Sequence, residues 1–128
     1  MTEDLREAHR PSGLTRLWLA TLNSRRGFLQ CYRSEAAFRQ EVWLACVLLP
    51  AGLWFGQNAV ERALLVGSVI ILLIVELLNT GIEVVVDRIG VERHPLSGFA
   101  KDVGSAAVFF GLVLLFSTWA LILWDRLS

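Results

Sequence analysis

Two carboxylates and an amide interrupt a stretch of this chain that is otherwise apolar enough to cross a bilayer. They lie in the segment Glu76-Leu-Leu-Asn-Thr-Gly-Ile-Glu83. In one continuous helix, Glu76, Asn79 and Glu83 occupy positions i, i+3 and i+7, so all three point to the same side. An ionisable group at the centre of a membrane segment costs about 2.5–3.5 kcal/mol and is tolerated where it faces a bundle interior or a polar cavity. The stretch therefore predicts a polar site embedded in a membrane.

The composition agrees with a membrane protein, because 55% of the 128 residues are hydrophobic and five are tryptophan. The net charge is zero, but seven of the twelve basic residues precede Val42, whereas the run 103–124 is uncharged. We interpret this asymmetry as a signal for membrane orientation and not for nucleic-acid binding. Cys31 and Cys46 have no metal-binding or redox spacing, and we interpret both as packing residues.

The pattern along the chain predicts an N-terminal surface helix followed by three transmembrane helices. Residues 1–12 are charged and are predicted to be disordered. Segment 14–33 mixes apolar side chains with arginines, which is typical of an amphipathic helix on an anionic membrane surface, and we expect a break at Ser24 to Gly27. The predicted spans are about 36–56, 60–89 and 98–124.

Capping residues and loop charges refine this prediction. Ser34 is placed to cap the first span, and Gly90 and Pro95 can end the second and open the third. The basic N-terminal arm and the connection 87–101 share one side, which the positive-inside rule makes cytoplasmic, so the C-terminus is outside.

Because three short helices enclose little volume, we expect a homo-oligomer. Polar residues from three elements then meet at the cytoplasmic level: Glu35, Glu76, Asn79, Glu83, Lys101 and Asp102.

Carboxylates and a lysine at a membrane edge can hold Mg²⁺ and an anionic cosubstrate. The chain has neither GxxxxGK[ST] nor GxGxxG after a strand, so the common phosphate cradles are excluded. Phosphoryl transfer needs positioning, charge neutralisation and a base, and Glu76, the deepest carboxylate, is the best-placed base for a lipid hydroxyl.

Two alternatives remain open from spacing alone. Intramembrane glutamates also serve small proton-coupled transporters, and Glu and Asn can act as interhelical hydrogen-bond partners.

Three ordered motifs resemble the Gram-negative branch of the prokaryotic diacylglycerol kinases. They are Glu35-Ala-Ala-Phe-Arg-Gln-Glu41, the segment from Glu76-Leu-Leu-Asn-Thr-Gly-Ile-Glu83 through Asp87-Arg-Ile-Gly90, and Ala100-Lys-Asp-Val-Gly-Ser-Ala-Ala107. With Gly13-Leu-Thr-Arg16, the resemblance covers nearly all of residues 13–126. It implies an all-α inner-membrane homotrimer with three transmembrane helices per chain, an amphipathic surface helix and active sites shared between subunits.

The resemblance also implies MgATP-dependent phosphorylation of the free hydroxyl of diacylglycerol to phosphatidic acid. Glu76 looks like the general base, Asn79 orients the reacting groups, and Glu35 and Glu83 look like ligands of the Mg²⁺ that accompanies ATP. Ser105 matches the lipid-facing side, and Arg16 is assigned to both nucleotide and lipid. The remaining positions that match nucleotide contacts are Glu92, Arg93, His94, Lys101 and Asp102.

Some positions depart from the family pattern. Phe99 stands where close relatives carry a basic residue, and Asn23 stands where relatives can carry an aromatic one. His94-Pro95-Leu96 resembles the undecaprenol kinases of the Gram-positive branch, whereas Asp87-Arg-Ile-Gly90 and Leu96-Ser-Gly98 favour the diacylglycerol branch. An undecaprenol kinase of the same family is therefore the alternative acceptor specificity.

Overall fold

The computed structural model describes residues 12–128 of the chain. The predicted disorder of residues 1–12 therefore lies, except for Ser12, outside the described residues. Within residues 12–128 there are four α-helices, and the all-helical prediction is confirmed. They are α1 (Gly13–Ser34), α2 (Ala36–Phe55), α3 (Ala59–Ile89) and α4 (Pro95–Leu127). The last three are long and apolar enough to cross a membrane, as expected for a multi-pass membrane protein.

Helix α1 forms one compact unit of the chain and helices α2 to α4 form the other. The predicted break at Ser24 to Gly27 is wrong, because α1 runs without interruption through both residues. The Ser24 hydroxyl donates to the Ala20 carbonyl at 2.8 Å, within the helix. A glycine inside a helix costs about 1 kcal/mol relative to alanine, which does not end a 22-residue helix. Whether α1 lies on the membrane surface stays a prediction.

The predicted cap of α2 is also wrong. Ser34 is the last residue of α1, and its hydroxyl donates to the Gln30 carbonyl at 2.9 Å. The N-cap of α2 is Glu35, which has extended backbone angles and makes no capping hydrogen bond through its side chain. The Glu35 carboxylate is therefore not used by the helix that it precedes.

Helix α3 is the central element of the second unit and contacts both α2 and α4. The buried core consists of Ala45 from α2, Val69 and Leu72 from α3, and Leu115 from α4. Glycines allow close approach on both partners of α3. A Cβ at Gly52 would lie 3.1 Å from the Leu65 Cβ, and one at Gly111 would lie 3.3 Å from a Leu72 methyl carbon.

Capping residues mark the start of α3 and the connection between α3 and α4. Asn58 Oδ1 accepts from the Glu61 amide at 2.9 Å, while Glu61 Oε2 accepts from the Gln57 amide at 2.8 Å. This reciprocal pair starts α3 in the manner of a capping box. Gly90 ends α3 and Pro95 is the first residue of α4, both as predicted.

The end of α2, the start of α3 and the end of α4 share a small polar cluster. Glu61 Oε2 lies 3.8 Å from Arg126 Nη2, and the Arg126 guanidinium lies 6.0 Å from the centre of the Phe55 ring. Arg62 Nε donates to the Leu53 carbonyl at 3.2 Å. This end of the bundle is opposite to the end where α3 passes into α4, because α3 begins at Ala59 and ends at Ile89.

Candidate active site

Helix α3 carries a row of polar residues that begins inside the bundle and reaches its surface. Glu76 is buried, with 7% of its surface exposed, Asn79 and Glu83 are half-buried, and Asp87 is exposed. Asn79 Nδ2 lies 3.4 Å from Glu83 Oε1, to which it donates a weak hydrogen bond. The prediction that these side chains share one side of a helix is confirmed for Asn79 and Glu83 by this contact.

Helix α4 meets this row at two points. Lys101 Nζ donates to Asp87 Oδ1 at 2.8 Å, and both side chains are about half exposed. One turn deeper, Gly104 packs so closely on Asn79 that a Cβ at this position would collide with Asn79 Oδ1. Asn79 Oδ1 is itself buried and has no hydrogen-bond partner among residues 12–128. The absence of a side chain at Gly104 therefore makes room for the Asn79 amide.

Helix α2 contributes a carboxyl that the sequence did not single out. The Glu41 carboxyl contacts that of Glu76 across the interface between α2 and α3. Its Oε2 atom is buried, and within the described part of the chain no donor bonds to it. From the sequence alone, Glu41 would be expected at the headgroups, because it lies near Arg39 at the polar start of the span. The neighbouring helix instead covers its carboxyl.

A pocket of about 560 Å³ lies beyond the polar row, where α3 passes into α4. Its charged and titratable lining comes from Asp87, Glu92, Arg93, His94 and Lys101. His94 also caps α4, because its Nδ1 accepts from the Leu96 amide at 3.1 Å. Four of the predicted nucleotide contacts, Glu92, Arg93, His94 and Lys101, are thus brought together around one opening.

Three predicted site residues of the second unit do not line this pocket. Asp102 and Ser105 are exposed on α4, and neither lines the pocket. Glu35 is half-buried at the start of α2, and Arg16 is exposed on α1, in the other compact unit. The roles assigned to these residues from the sequence stay predictions.

The carboxylates present fit the binding of a magnesium ion that arrives with a nucleotide. Among residues 12–128, no three His, Cys, Asp or Glu side chains form a metal-binding group. Mg²⁺ does not need such a group, since it is usually held by one or two carboxylates together with phosphate oxygens and water. Glu83 is half-buried beside an amide and close to the pocket end of α3, and Glu35 has a carboxylate that its helix does not use.

Sequence comparisons relate this chain to lipid kinases. The model of the family described as prokaryotic diacylglycerol kinase matches residues 22–123. The diacylglycerol kinase of Pseudomonas aeruginosa is 51% identical over 112 residues, which cover 88% of this chain and 91% of the relative. Those of Haemophilus influenzae and Escherichia coli K12 are each 44% identical, over 115 and 119 residues. These alignments cover 90% and 93% of this chain, respectively, and 98% of each relative. A family match over most of the chain, together with relatives aligned almost end to end, establishes that the chain belongs to the prokaryotic diacylglycerol kinase family.

Proposed function

We propose that this membrane kinase transfers the γ-phosphoryl group of ATP, in the presence of Mg²⁺, to the free hydroxyl of diacylglycerol, giving phosphatidic acid and ADP. The observation that carries the proposal is the polar row of α3. It runs from the buried Glu76 to a charged pocket at the end of the helix. A hydroxyl of a membrane lipid and a phosphate donor from water can approach such a row from its two ends.

Glu76 is the proposed general base. Its burial places a carboxylate among apolar helices, where a lipid hydroxyl is more accessible than water is. As the hydroxyl oxygen attacks the γ-phosphorus, its proton passes to Glu76, and the bond between the γ-phosphorus and the bridging oxygen of ADP breaks. Asn79, between Glu76 and Glu83 on the same helix, is suited to orient the reacting groups.

The pocket at the end of α3 is the proposed nucleotide site. Lys101 neutralises phosphate charge, and its half-exposed ammonium is free to exchange Asp87 for a phosphate oxygen. Arg93, His94 and Glu92 lie around the same opening. Glu35 and Glu83 would hold the Mg²⁺, which when bound neutralises charge on the transferred group. Arg16 and Asp102 complete the proposed nucleotide contacts, and Arg16 and Ser105 the proposed lipid contacts.

The proposed assembly is a homotrimer in the bacterial inner membrane, with the N-terminus in the cytoplasm and the C-terminus in the periplasm. Placing the pocket on the cytoplasmic side gives it access to ATP. Neighbouring subunits would supply residues to one another's sites.

The test is phosphoryl transfer by the purified protein in mixed micelles. The protein receives MgATP with either diacylglycerol or undecaprenol at matched mole fractions, and ADP release and labelled lipid product are measured together. We expect faster transfer to diacylglycerol. A preference for undecaprenol would retain the reaction and replace the acceptor. ADP release without lipid product, or no turnover with either lipid, would contradict the proposal.

A further inference from the structure

The contact between Glu41 and Glu76 brings two carboxyl groups together across a helix interface. Glu41 belongs to α2 and Glu76 to α3, and the charged group that acts on Glu41 from the packed helix is Glu76. Each member of the pair has a buried apolar neighbour about one turn away, since Phe38 and Leu72 are 1% and 2% exposed. Two ionised carboxylates in contact in such surroundings would repel each other strongly.

The atoms themselves indicate how the pair avoids this repulsion. Glu41 Oε2 is a buried acceptor with no donor among residues 12–128, although another carboxyl is its neighbour. A buried polar atom without a partner costs about 1–3 kcal/mol, and one proton between the two carboxyls removes the cost. A pair of carboxyls that shares one proton is a known solution for two acids in one site.

We propose that Glu41 is a positioning residue for Glu76: it carries the shared proton and donates it in a hydrogen bond to the Glu76 carboxylate. This inference rests on the proposed role of Glu76 as the base. The hydrogen bond occupies one oxygen of Glu76 and fixes the rotation of the carboxylate, so that the other oxygen accepts the proton of the lipid hydroxyl. The proton on Glu41 stays on Glu41 throughout the reaction.

Two variants of nearly equal size separate this role from simple space filling. In Glu41→Gln the amide N–H₂ replaces the protonated carboxyl as donor, whereas Glu41→Met fills the space without a donor. We expect Glu41→Gln to retain most of the kcat. We expect Glu41→Met to lose about 10- to 100-fold, the range found when a hydrogen-bond partner that orients a metal ligand is removed. Equal kcat values for two folded variants would overturn the proposal.

The pH profile gives a readout that a structural role would not change. The wild-type rate should fall at high pH, when the shared proton is lost. Glutamine keeps its donor at all pH values. Glu41→Gln should therefore lose the alkaline fall in rate that the shared proton causes. An unchanged alkaline fall would overturn the proposal. Glu61→Gln, at the opposite end of the bundle, is the matched control and should keep the wild-type profile.

A measurement without substrate separates this proposal from the proposed function. The infrared spectrum of the resting wild-type protein should contain a protonated-carboxyl band that is absent from Glu41→Gln and retained in Glu61→Gln. If the wild type shows this band but does not phosphorylate diacylglycerol, the proposed acceptor is contradicted and the proposed shared proton is supported. If it phosphorylates diacylglycerol but lacks the band, the proposed shared proton is contradicted and the proposed kinase activity is supported.

Discussion

At the scale of single residues, Glu76 is the position where substitution should separate chemistry from binding. Glu76→Gln keeps the size and polarity of the side chain but cannot accept the hydroxyl proton. We expect kcat to fall about 10²- to 10⁴-fold, the usual contribution of a general base. The dissociation constant of MgATP should change little, because Glu76 lies inside the bundle and does not line the pocket at the end of α3.

Glu83→Gln is the matched comparison on the same helix. As a proposed metal ligand, it should weaken the binding of the metal–nucleotide complex, which titration of MgATP at fixed lipid measures as a higher dissociation constant. A Glu76→Gln variant that kept about a tenth or more of the wild-type kcat would contradict its assignment as the base.

Gly104 is the second residue at which a small substitution should affect turnover. In Gly104→Ala the new Cβ collides with Asn79 Oδ1, so the amide or the helix must move. A displacement of about 1 Å at a positioning group can cost 10²-fold in rate, and we expect a loss of this order in kcat. Because the amide at the end of the Asn79 side chain can turn away, and alanine is favoured over glycine inside a helix by about 1 kcal/mol, the free energy of unfolding should change little.

Gly67→Ala on α3 is the control for this prediction, because a Cβ there meets no atom within 4 Å. Its kcat should equal that of the wild type, and its stability should not fall. Steady-state kinetics and thermal unfolding in the same detergent check both variants. Similar kcat values for the two alanine variants would show that the contact with Asn79 does not matter for turnover.

The sequence predicted the polar row of the site but not the contacts that other helices make with it. Asn79 and Glu83 share a side of α3 because helical periodicity alone determines which residues of one helix lie together. Glu41 and Gly104 lie on other helices, and their neighbours depend on how α2 and α4 are rotated and shifted against α3. Periodicity within one segment contains no information on that register, so neither contact was predicted.

At the scale of helices, Trp119 links α4 to the part of α3 that precedes Glu76. Its indole Nε1 donates to the Leu65 carbonyl at 3.2 Å. Trp119→Phe keeps an aromatic ring and removes this hydrogen bond, which should lower the free energy of unfolding by about 1 kcal/mol. The kcat should not change, because Leu65 lies three turns of α3 before Glu76. Trp124→Phe is the control, since Trp124 is 75% exposed. Equal unfolding midpoints for the two variants would contradict a stabilising role of the hydrogen bond.

Helix positions were predictable and two local details were not. Apolar runs, Gly90 and Pro95 located the three long helices to within a few residues, because a bilayer requires long uninterrupted helices. The predicted break in α1 and the predicted Ser34 cap both failed for the same reason. Ser24 and Ser34 each donate to the carbonyl four residues earlier, a bond that serine can make inside a helix as readily as it can cap one.

At the scale of the whole molecule, the second unit separates two kinds of polar contact to opposite ends of α3. The end near Gly90 holds the pocket with Lys101 and Asp87, and the end near Ala59 holds the ion pair of Glu61 and Arg126. The core between them is apolar. Because both groups of charges need water or headgroups, this arrangement fits a bundle whose two ends lie at the two faces of a bilayer.

The orientation of that bundle can be tested with two single cysteines in a chain whose native Cys31 and Cys46 are replaced by alanine. Val91→Cys lies in the loop beside the pocket and Ser128→Cys at the end of α4, and both positions are exposed. In spheroplasts, a membrane-impermeant maleimide should label Ser128→Cys at once and Val91→Cys only after lysis. Retained kinase activity would show that each labelled chain is folded. The reverse labelling pattern would contradict the predicted topology, because it would place the pocket on the periplasmic side, away from cytoplasmic ATP.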